Sequence, residues 1–158
     1  RVGAGCGARV GKYAGFAHAA PGGLGSALRR HRGALVAALA VSNAIGDIFD
    51  PATGLRVAGS SRPEALLELK PALLGTSTTL VVVATDAPIG KAQAFALAQS
   101  AHIGVARVTR PSHTVHDGDT AFVLSSARGP ELPLMTLSVL VQEVVAEAIL
   151  RGVRTAQL

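Results

Sequence analysis

The chain has 158 residues, enough for one hydrophobic core and too few for two comfortable domains. Hydrophobic residues make up 49% of it and aromatic residues 3%, so its apolar mass is small and aliphatic, which excludes disorder and suits closely packed sheets and helices. The net charge of +5 is lopsided: Arg1, Arg9, Lys12, Arg29, Arg30 and Arg32 all precede the first acidic residue, Asp47, with no interleaved aromatics and no groove-fitting helix, so the pattern argues for a solvated or subunit-facing surface and against nucleic acid.

In chain order, residues 3–25 are glycine-rich and read as loops and short extended pieces. The sequence enters this segment directly from Arg1, without Met or a secretory leader, and reads as continuing upstream. Cys6 is the single cysteine, which excludes an internal disulfide and gives no reason for export, so a cytoplasmic protein is expected. Lying among Gly and Ala, Cys6 reads as a small buried hydrophobe. Ala34 to Val41 is a continuous apolar run expected to form a buried strand. The apolar stretch of residues 34–49 is broken by Ser42, Asn43 and Asp47 and falls short of a membrane span. Residues 50–54 (Asp-Pro-Ala-Thr-Gly) form a turn, and Leu55 to Ala58 a short returning strand of a hairpin.

Pro63 to Leu74 places leucines near helical spacing and predicts a helix ending at Gly75. Leu80 to Thr85 predicts a strongly buried strand. A helix follows over Gly90 to Arg107, with Phe95, Ala98, Ala101, His102 and Val105 on one face. Thr120 to Ser125 is another strand. Leu134 to Arg151 is a nearly all-apolar helix bounded by Pro133 and Gly152, of the kind found sandwiched inside a protein or an oligomer. The fold class is layered α/β, and there is no internal repeat.

Several motifs invite chemistry and fail on context. Gly3-Ala4-Gly5-Cys6-Gly7-Ala8 fits the dinucleotide fingerprint formally, but only two residues of this sequence precede it, Gly11 and Gly15 interrupt the helix that should follow, and no acidic residue stands at the ribose-binding distance. Gly11-Lys12 is no phosphate loop, because Cys6 and Tyr13 occupy positions that require Gly and Ser or Thr. His113, His116, Asp117 and Asp119 crowd one loop without the spacing of a metal pair, and an Asp-Gly turn before a strand accounts for Asp117 and Gly118. No metal and no cofactor is expected. Thr76-Ser77-Thr78-Thr79 is a run of hydroxyls between a helix and a buried strand. By residue type alone it supplies local hydrogen bonds, just as Lys12 would be a solvated charge and Asn43 a strand-end turn residue.

Taken together, several stretches resemble the L-aminopeptidase/D-esterase family, which includes β-peptidyl aminopeptidases and the nylon-oligomer endo-hydrolase. They are Gly3-Ala4-Gly5 through Val10-Gly11-Lys12, Gly22 to Ser26, Ala40 to Asp47, Thr78 to Pro88, Lys91-Ala92-Gln93 and Asp117-Gly118-Asp119-Thr120. The resemblance covers essentially the whole chain, as the C-terminal half of such a protein.

It implies an αββα sandwich of the self-processing N-terminal-nucleophile type, made as one inactive chain that cuts itself between Ser77 and Thr78. Residues 1–77 would be the end of the first piece and residues 78–158 the second, within one structural domain. Thr78 would become the nucleophile, and its freed amine the base. Lys12 would help keep that amine neutral, Asn43 would donate to the oxyanion, and Asp117 and Asp119 would orient the nucleophile and stabilise transferred charge.

Substrates would be small peptides or peptide-like amides and esters, with no cofactor, no nucleic acid and no membrane. The assembly would be a homo-oligomer, a tetramer or larger. Three departures stand out. Ser77 replaces the Asn common in Thr-type members, the Asp-Gly-Asp loop is nearer the nylon-oligomer branch, and the N-terminal half with its share of the substrate pocket is absent. Rival readings are acyl transfer to an amine, as in ornithine acetyltransferases, and a non-catalytic oligomerising domain of the same fold.

Overall fold

The computed structural model describes residues 2–68 and 77–158. In chain order the strands are β1 (Arg9–Val10), β2 (Ala20–Pro21), β3 (Gly23–His31), β4 (Ala34–Asn43), β5 (Asp47–Phe49), β6 (Arg56–Ala58), β7 (Thr78–Thr85), β8 (Thr109–Arg110) and β9 (Thr120–Ser125). Helix α1 (Lys91–Val108) lies between β7 and β8, and α2 (Leu134–Ala156) ends the fold. The central sheet has the order β3-β4-β7-β9, and β5 joins β6 and β8 in a smaller one. β4 runs antiparallel to both β3 and β7, whereas β7 and β9 are parallel, with α1 in the connection between them.

Alternation along the strands gives the central sheet two different faces. Val36, Ala38, Ala40, Val81 and Val83 point one way into a core with Leu97, Val105, Leu137, Val141 and Val145 of the two helices. The residues between them point the other way, where Leu28, Leu39, Leu80, Val82, Phe122 and Leu124 remain exposed. The described chain is therefore a helical layer on a mixed sheet whose second face is apolar and open. The α/β layering agrees with the sequence-based expectation.

The strand expected at Ala34 to Val41 extends to Asn43, and that at Leu80 to Thr85 begins at Thr78. The hairpin around residues 50–54 is present, with Asp47–Phe49 as its outgoing strand. Strand β3 is a correction in extent, because residues 3–25 read as loops and short extended pieces and no long strand was expected there, although its basic residues Arg29 and Arg30 do lie at the surface. Gly23–His31 joins the sheet because Arg32 and Gly33 both adopt positive φ, 47° and 87°, as a two-residue primed turn requires, so β3 folds back onto β4.

Cys6 is also corrected. It is exposed, because the segment lies along the surface with Gly5 facing inward against the backbone of Leu24. The buried stripe of α1 is Leu97, Ser100, Ala101, Gly104, Val105 and Val108, and Phe95 is exposed. Gly104 sets that orientation, since a Cβ there would lie 2.8 Å from the carbonyl oxygen of Gln142 on α2. Helix α2 runs on through Gly152, which marks a close crossing with β3 and no helix end. Residues Pro63–Leu67 form a 3-10 helix, and the remainder of the helix expected to Leu74 lies outside the described residues beyond Glu68.

Candidate active site

Antiparallel register places Asn43 directly opposite Thr78 at one end of the central sheet. By alternation both lie on the open face, away from the helices. With Ala4, Gly7, Ala8, Val41 and Leu80 they line a cavity of about 230 Å³. The walls are small and apolar, and the polar groups are concentrated on Asn43 and Thr78.

Lys12 enters from a 3-10 turn (Lys12–Ala14) and is completely buried, which overturns its reading as a solvated charge. Gly11 makes the approach possible: its φ is +70°, and any side chain there would overlap Ser60 and Gly59. Lys12 Nζ donates to the Asn43 carbonyl oxygen at 2.8 Å and to Asn43 Oδ1 at 3.1 Å. Asn43 Oδ1 also accepts from Arg9 N–H at 3.1 Å, so two donors fix the orientation of the amide. Burial pulls the Lys12 ammonium down to about 8, against the opposing fields of Asp117 and Asp119. The ammonium also lies 5.7 Å from the centre of the Phe16 ring.

The Lys12 turn rests on a polar hub that sequence reasoning did not identify. Asp47, 5% exposed, accepts from Tyr13 OH at 2.9 Å, Ser60 N–H at 2.8 Å and Arg56 Nη1 at 3.1 Å. Burial and the hydrogen bond to Asp47 push the Tyr13 phenol up to about 12, so it stays a donor at neutral pH. The available signal was an acid ending an apolar run, opposite a tyrosine beside Lys12. Pairing the two required the fold.

Thr78 Oγ1 donates to the carbonyl oxygen of Ser77 at 2.6 Å. The same oxygen accepts from Gly118 N–H at 2.8 Å, within an isolated parallel bridge between Ser77 and Asp117. Asp119 Oδ1 accepts from Thr79 N–H at 2.6 Å, while Oδ2 faces His113 Nδ1 at 2.8 Å. Asp117 accepts from Thr114 N–H and Oγ1 at 3.0 and 2.7 Å, and from Ile45 N–H at 3.3 Å. Asp119 therefore holds the backbone just after Thr78, while Asp117 ties its own loop to Thr114 and to Ile45.

Lys12, Asn43, Ser77, Thr78, Asp117 and Asp119 thus converge on one end of the sheet, although they lie far apart in sequence. Thr76, the first of the hydroxyl run, lies outside the described residues. Among the described residues, no group of three or more His, Cys, Asp and Glu is gathered in the manner of a metal site.

A family model described as Peptidase family S58 matches residues 1–158, the full chain. This chain belongs to peptidase family S58. Curated relatives include an uncharacterised aminopeptidase of Mycobacterium leprae (strain TN), 34% identical over 183 residues, which covers 99% of this chain and 49% of that protein. Another, from Mycobacterium tuberculosis (strain ATCC 25618 / H37Rv), is 35% identical over 187 residues, covering 99% of this chain and 52% of the relative. The chain thus spans about half the length of the curated relatives it matches.

Among solved structures, a Pyrococcus horikoshii OT3 protein superposes with a TM-score of 0.67 at 27% identity, over 95% of this chain and 43% of that one. The L-aminopeptidase D-Ala-esterase/amidase of Ochrobactrum anthropi, described as a variant of the Ntn hydrolase fold, gives 0.65 at 22% identity over 93% and 42%. A Burkholderia sp. β-aminopeptidase gives 0.60 at 26% identity over 93% and 44%. The S58 chain thus has the layered architecture of the Ntn-hydrolase aminopeptidases. No helix among its described residues is long and apolar enough to cross a membrane.

Proposed function

We propose that this S58 chain is the C-terminal half of a self-cleaving amidohydrolase that cuts itself before Thr78 and then uses Thr78 to hydrolyse peptide-like amides or esters. The observation that carries the reading is the 2.6 Å contact between Thr78 Oγ1 and the Ser77 carbonyl oxygen, which places a hydroxyl beside the peptide bond it must attack. Cleavage frees the Thr78 amine, and a neutral amine can take the proton of its own hydroxyl. The buried charge of Lys12 nearby favours the neutral form of that amine.

In the hydrolytic cycle the hydroxyl attacks the substrate carbonyl, Asn43 donates to the oxyanion, and the leaving amine departs protonated. Water then releases the acyl group from Thr78. Asp119 holds the Thr79 amide and so fixes the backbone carrying the nucleophile. The small apolar walls of the cavity favour a compact acyl group.

The test is intact-mass measurement and N-terminal sequencing of the full-length gene product. The expected smaller piece begins Thr-Thr-Leu-Val. Thr78→Ala should leave the chain uncut and inactive, and Thr78→Ser should retain part of both reactions. A wild-type chain that stays whole points to the non-catalytic scaffold, and a piece starting at Ser77 moves the nucleophile by one residue.

A further inference from the structure

Ser77 is 1% exposed, so charge developing on its carbonyl during self-cleavage arises where water is scarce and a fixed donor counts for more than in solution. Two donors meet that carbonyl oxygen: Thr78 Oγ1 at 2.6 Å and Gly118 N–H at 2.8 Å. When the hydroxyl attacks it gives up its proton and stops donating. Gly118 N–H is the donor that stays.

The surroundings of Gly118 fit this role. Asp117 is tied to Thr114 and Ile45, Asp119 to Thr79, and Thr120 Oγ1 donates to the Gly118 carbonyl at 3.0 Å, so the amide is held from both sides. A Cβ on residue 118 would lie 2.8 Å from Thr78 Oγ1. Its φ lies outside the left-handed region, so glycine is required there for space beside the hydroxyl and not for backbone conformation.

We infer that the backbone N–H of Gly118 is the oxyanion donor for self-cleavage, separate from Asn43, whose amide serves the substrate carbonyl. The inference rests on the self-cleaving reading above. In the step, Thr78 Oγ1 bonds to the Ser77 carbonyl carbon and the displaced electron pair settles on the oxygen held by Gly118. The carbon–nitrogen bond then breaks, and the hydroxyl proton ends on the Thr78 nitrogen, leaving an ester and a free amine. Water adds to the ester carbon and the carbon–Oγ1 bond breaks. The products are a Ser77 carboxylate and a regenerated Thr78 hydroxyl.

The experiment replaces residue 118 of the full-length precursor by glycolic acid, an amide-to-ester change that removes the N–H and leaves the size unchanged. Cleavage between Ser77 and Thr78 should slow about a hundredfold, the scale of losing one oxyanion donor. Once processing has been allowed to finish, hydrolysis per cleaved molecule should stay within about threefold of wild type, a range that corresponds to less than 1 kcal/mol.

A wild-type precursor that fails to cut there overturns the self-cleaving reading itself. A wild type that cuts, beside an ester variant that cuts equally fast, overturns only the role of Gly118. If hydrolysis falls as steeply as processing, the separation from Asn43 is wrong. Should a thermal melt show that the ester variant does not fold, amide exchange in the Thr78→Ala precursor decides. Protection of the Gly118 amide that is lost in the cleaved wild type supports the assignment, and an unprotected amide in the precursor overturns it.

Discussion

Lys12 combines complete burial with a charge, and it is tolerated because its ammonium has hydrogen-bonding partners in the Asn43 carbonyl and side chain. Lys12→Met keeps the aliphatic stem but takes a donor from both Asn43 oxygens. The expected cost is about 1–3 kcal/mol by chemical denaturation, far above that of a surface lysine. Hydrolysis should fall by roughly a hundredfold, the scale of lost acid–base assistance, and the limb of the pH–rate profile set by the Thr78 amine should move to higher pH. An unchanged rate and profile would remove Lys12 from the site.

The Lys12 pKa of about 8 in the fold, against 10.5 ordinarily, has a definite sign for stability. Between those values the unfolded chain still holds the proton and the folded chain has released it. Unfolding therefore binds a proton, and stability due to this residue rises with pH across the window. Measured in uncleavable Thr78→Ala chains, the stability of the Lys12 form relative to Lys12→Met should increase from pH 7.5 to pH 10. A flat difference would show that the ammonium is not desolvated.

At the scale of elements, α2 and β3 approach so closely that neither backbone leaves room for a side chain on the other. A Cβ on Gly25 would overlap the backbone of Ala148 and Gly152, and one on Gly152 would lie 2.7 Å from Gly25 N. Gly25→Ala and Gly152→Ala should each cost about 1–3 kcal/mol through overpacking, despite the better helix propensity of Ala at residue 152. The double variant should cost less than the sum, because either substitution alone already forces the crossing open. Urea midpoints of the four chains give the answer, and strict additivity would mean the two glycines do not share one contact.

The polar hub works at the same scale by tying the Lys12 turn to β5. Asp47→Ala leaves Tyr13 OH and Ser60 N–H without their acceptor and Arg56 without its carboxylate. A loss of about 3 kcal/mol is expected in thermal or chemical unfolding.

On the scale of the whole molecule, the open sheet face is too apolar to have been shaped for water alone. Leu39 is 47% exposed and Phe122 57%. On the proposed reading of this chain as one half of an αββα sandwich, the other layers would seat on this face. In the full-length protein, Leu39→Glu and Phe122→Glu should behave as core substitutions, each costing about 3 kcal/mol or more. At a solvated position the cost would stay within about 0.5 kcal/mol, and a value that small would mean the face is not covered.

What the sequence determined by itself is what short stretches of chain dictate. The Val run of β7, the presence of helices α1 and α2, and the turn at residues 50–54 were legible because propensity and pattern act within a few residues, whereas the buried face of α1 was not. The candidate site was legible only through the resemblance, since Lys12, Asn43, Thr78 and Asp117 each have an ordinary local explanation.

Tertiary structure decided the rest. β3 has a glycine- and arginine-rich sequence and is a strand because β4 lies beside it. Gly152 stays helical because β3 needs its missing side chain, and Phe95 turns outward because Gly104 lets α2 come close. Lys12 lost water in a turn that Gly11 lets pack against Gly59 and Ser60, and Gly118 came to rest on the Ser77 carbonyl through a bridge between distant segments. For β3 the deciding contact is with its neighbouring strand, and in the other cases it is between segments far apart in sequence, which no local pattern encodes.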